Sequence, residues 1–222
     1  MTEISADIAR QLGKDFTMRH PVTVYAMTKT CLKTKSKKIT STKVKAVTNQ
    51  KCEIAVVTCR GDLCEMKTVI YKLNPPLASA EEFKSRIPQI HQDVCAPKIS
   101  WLLTDPLALI IFITCMGLTH GTLNLGLTGI VEELAKAPNL EGGVETIFLS
   151  TQNFGYAVVS AWWFSIVAHG FEAYMATRLC RSQLNLSVGS TAIWATLTFL
   201  VGYPIFSRIQ ELGQAQQSKK SN

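Results

Sequence analysis

The sequence predicts two unlike halves: an α+β N-terminal domain of two helices, three antiparallel strands and one helix, then an all-α bundle of three transmembrane helices. The distribution of charge predicts this division, because 17 of the 23 Lys and Arg residues lie in the first 100 of the 222 positions. Three later stretches of 26 residues contain no Asp, Glu, Lys or Arg, namely 106–131, 146–171 and 182–207. Since about 20 apolar residues cross a bilayer, these stretches indicate a membrane protein and exclude one uniform soluble domain.

The N-terminal domain, residues 1–96, is predicted to open with two helices. Apolar residues recur every four positions from Ile4 to Phe16, which gives a helix over 2–17 one apolar face. Pro21 suits the first turn of a second helix, over 22–27, because the N–H that proline lacks has no partner there.

Three strands are predicted next, between Ile39 and Leu73. This stretch is rich in Val, Ile and Thr, and turn residues interrupt it at 49–50 and 60–62. The prolines of Asn74-Pro75-Pro76 end the third strand, because proline cannot donate a hydrogen bond to a sheet.

One helix is predicted to close the domain. Ser79 and Glu82 have the spacing of a capping box, in which the two side chains accept hydrogen bonds from free N–H groups at a helix start. Apolar residues then recur at helical spacing from Phe83 to Val94, which predicts one buried face.

The transmembrane domain, residues 97–210, is predicted to cross the bilayer three times. The three helices are expected over about 106–126, 148–173 and 186–206. The segment between the first two is acidic, whereas Arg178 and Arg181 lie between the second and the third. Because cytosolic loops carry an excess of Lys and Arg, the basic N-terminal domain is predicted to be cytosolic.

The seven cysteines also favour a cytosolic N-terminal domain. They include no C-x-x-C pair, and Cys59 and Cys64 are the closest two. A zinc site needs thiolates or imidazoles at tight spacing, so none is predicted. Buried free thiols in a reducing compartment are expected instead.

The polar tail, residues 211–222, carries Lys219 and Lys220 at the fourth and third positions from its end. This pattern resembles the dilysine retrieval signal of endoplasmic-reticulum proteins, and predicts a multi-pass protein of that membrane. Three full spans would leave the tail in the lumen, where cytosolic coat cannot read the signal. Gly202 and Pro204 could break the third span and return the tail, so its side stays open.

One polar pair falls within the predicted bundle. His169 and Glu172 lie three residues apart and so share a helical face, and His120 on the first span could supply one more ligand. Three interpretations stay open: a hydrogen-bonded structural pair, a site for a polar lipid headgroup or sterol hydroxyl, and a metal or redox site. A complete paired carboxylate–imidazole metal site would need the same motif on a second helix, so no metal is predicted.

A basic cluster lies between the second helix and the first strands. It contains no acidic residue and comprises Lys29, Lys33, Lys35, Lys37, Lys38, Lys43 and Lys45. Two interpretations stay open: the lysines are solvated and protect an exposed sheet from pairing with another chain, or the cluster binds anionic phospholipid at a membrane or a partner protein. No aromatic-rich strand motif or Gly-rich phosphate loop accompanies it, so a nucleic-acid partner is not predicted.

Residues 8–95 resemble the C-terminal domain of HugZ-like haem-utilisation proteins. The resemblance rests on LGKDF and VYAM, which keep Asp15 and Tyr25, and on the closing stretch YKLNPPLASAEEFKSRI. That closing stretch keeps Pro75, Pro76, Leu77, Ser79, Glu82 and Arg86. The resemblance implies a domain of the kind found beside flavin-reductase-like split barrels and also alone.

Residues 122–206 resemble the transmembrane protein 254 type of small membrane proteins. The matching stretches are LNLGLTG at 123–129, HGFEAYMATRLCR at 169–181, and the pattern formed by Trp194, Phe199 and Gly202. This resemblance implies a compact bundle of a few helices without a known activity, similar in size and style to sterol-biosynthesis scaffold proteins of the endoplasmic reticulum.

No catalytic constellation accompanies these features. The sequence shows no Ser-His-Asp set, Walker loop or G-x-G-x-x-G motif. We therefore expect a non-enzymatic membrane subunit or adaptor without a cofactor, in a larger complex that handles or transfers lipids. Its expected partners are other membrane subunits and a phospholipid or sterol. The alternative is a haem- or flavin-linked membrane oxidoreductase, suggested by the HugZ-like half.

Overall fold

The computed structural model describes residues 4–32 and 38–217, which form two compact units. The first unit groups the described residues up to 96 with 181–190 and with those from 210 onward. The second unit consists of residues 97–180 and 191–209.

The N-terminal part of the first unit has the predicted order of two helices, three strands and one helix. Its elements are α1 (Ala6–Arg19), α2 (Pro21–Cys31), β1 (Lys38–Val47), β2 (Lys51–Arg60), β3 (Leu63–Lys72) and α3 (Ala80–Val94). The strands form one antiparallel sheet in the order β1-β2-β3. The predicted α+β fold of this half is therefore confirmed.

The core of this unit lies between the helices and one face of the sheet. Alternate residues of β2, such as Ile54 and Val56, are fully buried, while their neighbours are only partly so. Phe16 of α1 meets Phe83 of α3 edge to face, with ring centroids 5.1 Å apart. The apolar stripe of α1 is narrower than predicted, because Ile8 remains 49% exposed.

The start of α3 forms the predicted cap. The Ser79 hydroxyl accepts a hydrogen bond from the Glu82 N–H at 3.3 Å, and the Glu82 carboxylate accepts one from the Ala78 N–H. Both bonds satisfy amides that would otherwise lack partners at the helix start.

The prediction that all cysteines are free thiols is wrong. Cys59 and Cys64 face each other across the β2–β3 turn and form a disulfide, while the other five cysteines are free. A tight turn with Gly61 at φ 60° brings the two residues into register. Burial raises the pKa of the Cys52 thiol to about 12, with a smaller contribution from Cys31.

Two later segments complete the first unit by packing against α2 and α3. The His91 ring donates from Nε2 to the Leu184 carbonyl at 2.6 Å and accepts at Nδ1 from the Thr23 hydroxyl at 2.9 Å. The Gln92 amide accepts from the Ser187 N–H and donates to the Asn185 carbonyl, at 2.9 and 3.1 Å.

The start of the tail also contacts the N-terminal domain. Glu211 forms an ion pair with Lys29 at the end of α2. Burial, together with the nearby Glu211 carboxylate, raises the pKa of Tyr25 to about 12. The described residues from 210 onward are thus tied to the N-terminal domain.

The rest of the described chain is helical. After the short α4 (Trp101–Thr104) come α5 (Pro106–Thr119), a π-helical segment (His120–Leu125), α6 (Gly126–Ala135), α7 (Pro138–Phe148), α8 (Thr151–Ser182), α9 (Val188–Val201) and α10 (Tyr203–Gln217). Two helical stretches of the described chain are long and apolar enough to cross a membrane, Pro106–Ala135 and Thr151–Ser182. The prediction of three spans is therefore wrong.

The third predicted span, over 186–206, divides at Gly202. This residue adopts φ 72°, a left-handed conformation that glycine tolerates. Pro204 lies in the first turn of the next helix, where a proline removes no helical hydrogen bond. The 14 residues of α9 rise about 21 Å, less than the roughly 30 Å of a bilayer core. Counting uncharged residues gives no sign of this break, because hydropathy records no change of direction. The structure has the alternative that the sequence left open, a third span broken at Gly202 and Pro204.

The two arms on either side of Gly202 lie next to each other. The Trp101 ring lies 5.5 Å from the ring of Trp194 on α9, and the Arg208 guanidinium of α10 stacks over the same Trp101 ring at 4.6 Å. Since one residue touches both arms, α9 and α10 form a helical hairpin.

The first span ends near its predicted limit. Gly126 has φ 66°, and a Cβ on Gly121 would lie 3.7 Å from Ile130, nine residues later. A straight helix would separate that pair by about 13 Å along its axis, so α6 folds back beside the π-helical segment. The straight part, residues 106–125, is about 30 Å long and matches a bilayer core.

The first span packs antiparallel to α8. Trp162 donates from Nε1 to the Thr119 hydroxyl at 3.2 Å, and the Gly121 backbone approaches Val158 one turn earlier on α8. Only 11% and 6% of the most apolar parts of the two spans are buried within the chain. Such exposure is unlike the core helix of a soluble protein and suits contact with lipid.

We predict that Leu77→Ala destabilises the first unit by about 2–5 kcal/mol, because Leu77 is fully buried and its removal leaves a cavity. Leu63→Ala is the matched control, since Leu63 is 83% exposed, and should change stability by less than about 0.5 kcal/mol. Hydrogen exchange of the β2 peptide in the detergent-solubilised full chain measures both. Equal effects would contradict the described core.

Candidate functional site

The break at Gly202 creates the most distinctive polar site of the second unit. The Gly202 N–H donates to the Thr198 carbonyl at 2.6 Å. A Cβ on Gly202 would lie 2.7 Å from His169 Nε2 and 2.8 Å from Glu172 Oε2, both of which belong to α8. Glycine is therefore favoured by its left-handed φ, and a larger residue here would also displace the ends of these two side chains.

The histidine of this site has an assignable tautomer. His169 Nδ1 lies 3.0 Å from the Phe199 carbonyl oxygen, which can only accept a hydrogen bond, so Nδ1 carries the proton. In the neutral ring Nε2 is then an acceptor, and it points towards Gly202. The turn at the tip of the hairpin thus fixes the orientation of the imidazole.

One oxygen of the carboxyl group beside it lacks a hydrogen-bond partner. Glu172 Oε2 is buried and has no hydrogen bond within the described part of the chain, and the same holds for the hydroxyl of Thr198. Leaving a buried polar atom unsatisfied costs about 1–3 kcal/mol. Unsatisfied groups that cluster at one place call for a partner from outside the chain.

A cavity of about 80 Å³ lies next to this cluster, between α5, α8 and the end of α9. Its walls are mainly apolar, and its polar lining residues are Thr119, Ser165 and His169. Ser165, His169 and Glu172 follow one another at helical spacing on one face of α8. The polar end of this arrangement can accept hydrogen bonds, and its walls can contact the apolar part of a ligand.

The structure does not bring His120 to this site. His120 lies on the π-helical segment, where its Nδ1 is 2.9 Å from the Asn124 amide. Nowhere in residues 4–32 and 38–217 do three His, Cys, Asp or Glu side chains lie close enough to hold a metal ion.

A second polar arrangement was not predicted from the sequence. Arg208 of α10 forms an ion pair with Asp105 at 2.5 Å, and Asp105 also caps the start of α5 through the Leu107 and Ala108 N–H groups. Burial raises the pKa of Asp105, but the hydrogen bonds from Arg208 and the two amides outweigh it and hold this pKa below its ordinary value. The pair ties the return arm of the hairpin to the start of the first span.

The predicted basic cluster is divided in the structure. Lys38, Lys43 and Lys45 lie on β1, and Lys45 reaches across the open face of the sheet to the Thr68 hydroxyl at 3.1 Å. Lys29 belongs to α2 instead and pairs with Glu211. The three central lysines, Lys33, Lys35 and Lys37, lie outside the described residues.

The predicted retrieval signal is also outside the described residues, which end at 217 before Lys219 and Lys220. The nearest described contact is the ion pair of Glu211 with Lys29.

Residues 144–210 match the family described as Transmembrane protein 254. The match covers less than a third of the chain and includes α8, α9 and the hairpin tip with His169, Glu172 and Gly202. Together with the two long apolar helices, it indicates a membrane protein. No curated protein and no solved structure matches the chain.

The comparisons thus support the predicted resemblance of the C-terminal part. They give no support to the HugZ-like resemblance of the N-terminal half, from which the haem- or flavin-linked alternative came.

We predict that Asp105→Asn flattens the acid dependence of stability. Because the pKa of Asp105 is lower in the folded state, its contribution is complete above the unfolded value of about 3.9 and is lost as pH falls through the folded value. Thermal unfolding of the detergent-solubilised protein between pH 7 and 3 should show a steeper fall for the native chain than for the variant.

At pH 7 the Asp105→Asn variant should be less stable by about 2 kcal/mol, since a charged hydrogen bond is weakened. Glu145→Gln, a change of the same kind at an exposed position of α7, is the control and should follow the native profile. Parallel curves for all three proteins would contradict the role of the ion pair.

Proposed function

We propose that this protein is a non-enzymatic, membrane-integral subunit of the endoplasmic reticulum, which presents a basic cytosolic domain to a larger complex that handles or transfers lipids. Two spans anchor it, formed by residues 106–125 and by α8. The proposal joins the family match and the apolar helices with the contacts inside the first unit.

The proposal rests mainly on two contacts, that of Lys29 with Glu211 and that of α3 with residues 184–187. Segments that touch one another share a compartment, so the loop after α8 and the start of the tail lie on the side of the N-terminal domain. If the chain crosses the membrane twice between residue 96 and this loop, the N-terminal domain, the loop and the tail lie on one side. A third crossing before the tail would place the tail on the other side. The hairpin of α9 and α10 then enters and leaves the membrane on one side, as re-entrant segments do.

Charge supports the cytosolic side for the first unit. Its N-terminal domain is strongly basic and its loop contains Arg181, whereas the segment between the two spans carries four Glu and one Lys. The disulfide of Cys59 and Cys64 favours the opposite side, because disulfides persist in oxidising compartments. The proposal follows the charge distribution and places this disulfide in a cytosolic domain.

A cytosolic tail would also let coat proteins read Lys219 and Lys220. Retrieval signals of this type are addresses read by a receptor and do not anchor a protein. The assignment to the endoplasmic reticulum rests on this pair.

The open face of the sheet supports the adaptor role. The three helices cover one face, and the other carries Lys43 and Lys45 beside the exposed apolar side chains of Met66 and Ile70. Exposed apolar residues next to lysines suit a partner subunit whose surface is acidic. Anionic phospholipid is the competing occupant of the same face.

We predict that the N-terminal domain and a tag after Asn222 are both digested by protease outside sealed microsomes. A second tag, inserted between Gly142 and Gly143, should be protected because that segment lies across the membrane. Protection of the N-terminal domain would contradict the orientation, and opposite results for the two terminal regions would contradict the two-span topology.

We predict that a gentle-detergent purification from native membranes yields a stoichiometric partner. The double variant Lys43→Glu/Lys45→Glu should lower its recovery at least fivefold, because it places negative charge on the open face. The matched control is Lys14→Glu/Lys84→Glu, which changes two exposed lysines of the helical layer and should leave recovery unchanged. A protein that purifies alone would contradict the subunit role, and equal losses in both variants would contradict docking by the sheet.

A further inference from the structure

We propose that the cavity beside the hairpin tip binds the hydroxyl-bearing end of a neutral membrane lipid, a sterol or a diacylglycerol. His169 and Glu172 would hold the hydroxyl group. The proposal deepens the lipid-handling part of the proposed function, and it requires neither the endoplasmic-reticulum address nor a partner subunit.

The polar end of the site presents two hydrogen-bond acceptors. His169 Nε2 is an acceptor because Nδ1–H donates to Phe199, and Glu172 Oε2 has no partner among the described residues. Both atoms lie within 3 Å of the position that a Cβ on Gly202 would take, so they lie close to each other, and His169 is the one of the two residues that lines the cavity. A hydroxyl group both donates and accepts, and can therefore satisfy the imidazole and either form of the carboxyl group.

The walls of the cavity indicate the rest of the ligand. They are formed mainly by aromatic and aliphatic side chains, including Phe112, Ile166 and Leu200. None of the lining residues is Lys or Arg. A phosphate-bearing headgroup would enter without a positive counterpart, which disfavours phospholipids and favours a lipid whose only polar group is an alcohol.

The size of the cavity sets how much of the lipid can enter. A water molecule needs roughly 10–15 Å³ of such space, so about 80 Å³ admits a hydroxyl group with a few carbon atoms. Met116 lines the cavity and is also 55% exposed on α5, so the rest of the lipid can continue along the surface that faces the bilayer. Ser165 lies one turn from His169 in the same cavity and offers a second hydroxyl.

The test is photolabelling of the full-length protein in lipid nanodiscs. One arm uses a photoreactive sterol competed by cholesterol or by cholesteryl acetate, and the other uses a photoreactive diacylglycerol competed by diacylglycerol or by triacylglycerol. In at least one arm the free alcohol should reduce labelling at least fivefold, while its ester, which has no hydroxyl, should not. The arm that responds identifies the lipid.

Variants locate the site. Glu172→Ala removes both oxygens that the lipid hydroxyl would contact, and should reduce the competed labelling at least fivefold. Ser165→Ala should reduce it more weakly, and Ser160→Ala is the matched control on the exposed surface of α8, where labelling should stay unchanged. Competition on the native protein needs no variant, so a variant that fails to fold leaves the test intact.

The proposal is overturned if the ester competes as well as the alcohol, if neither alcohol competes, or if Glu172→Ala labels like the native protein. Failure of the adaptor role is detected separately, because it appears as loss of the partner in purification and leaves photolabelling unaffected.

Discussion

The second half of the molecule depends on a conformational constraint at one residue. An uncharged stretch of 26 residues would ordinarily continue as one helix, but Gly202 adopts a positive φ that other residues avoid. The chain reverses there, and α10 returns beside α9 instead of crossing the membrane. From that reversal follow the ion pair of Arg208 with Asp105, the tie of Glu211 to Lys29, and the orientation of His169.

The same reversal explains why a polar site lies next to an apolar helix pair. At the tip of a hairpin the last carbonyl groups of α9 have no partner in the next turn. The imidazole of His169 uses the one at Phe199, which leaves Nε2 and the Glu172 carboxyl facing a residue without a side chain. A buried polar group is costly unless it is paired, and two of the unsatisfied buried atoms in the described part of the second unit, Glu172 Oε2 and the Thr198 hydroxyl, lie on the helices that meet at the tip.

Local signals in the sequence predicted the N-terminal fold well. Turn residues at 49–50 and 60–62 separated the three strands, and the capping box of Ser79 and Glu82 marked the start of α3. The first two spans were also located, because length and apolarity decide them. Each of these features depends on residues that are close together in the chain.

What the sequence did not predict depends on distance or direction. Asp105 and Arg208 are 103 positions apart, and nothing in either neighbourhood indicates the other. The disulfide did have a local signal, since two cysteines flank a Gly-containing turn at a spacing that a tight hairpin brings into register. For the candidate site, the shared face of His169 and Glu172 was predictable, whereas the part played by Gly202 required knowledge of the turn.

The tie between Lys29 and Glu211 also has a consequence for biosynthesis. Domains at the start of a chain generally fold while the ribosome is still adding later residues. Here the N-terminal domain acquires its last contacts from 184–187 and Glu211, which leave the ribosome only after both spans have been made. The first unit therefore reaches its final form only after both spans have been synthesised, and its completion reports that the hairpin has folded back.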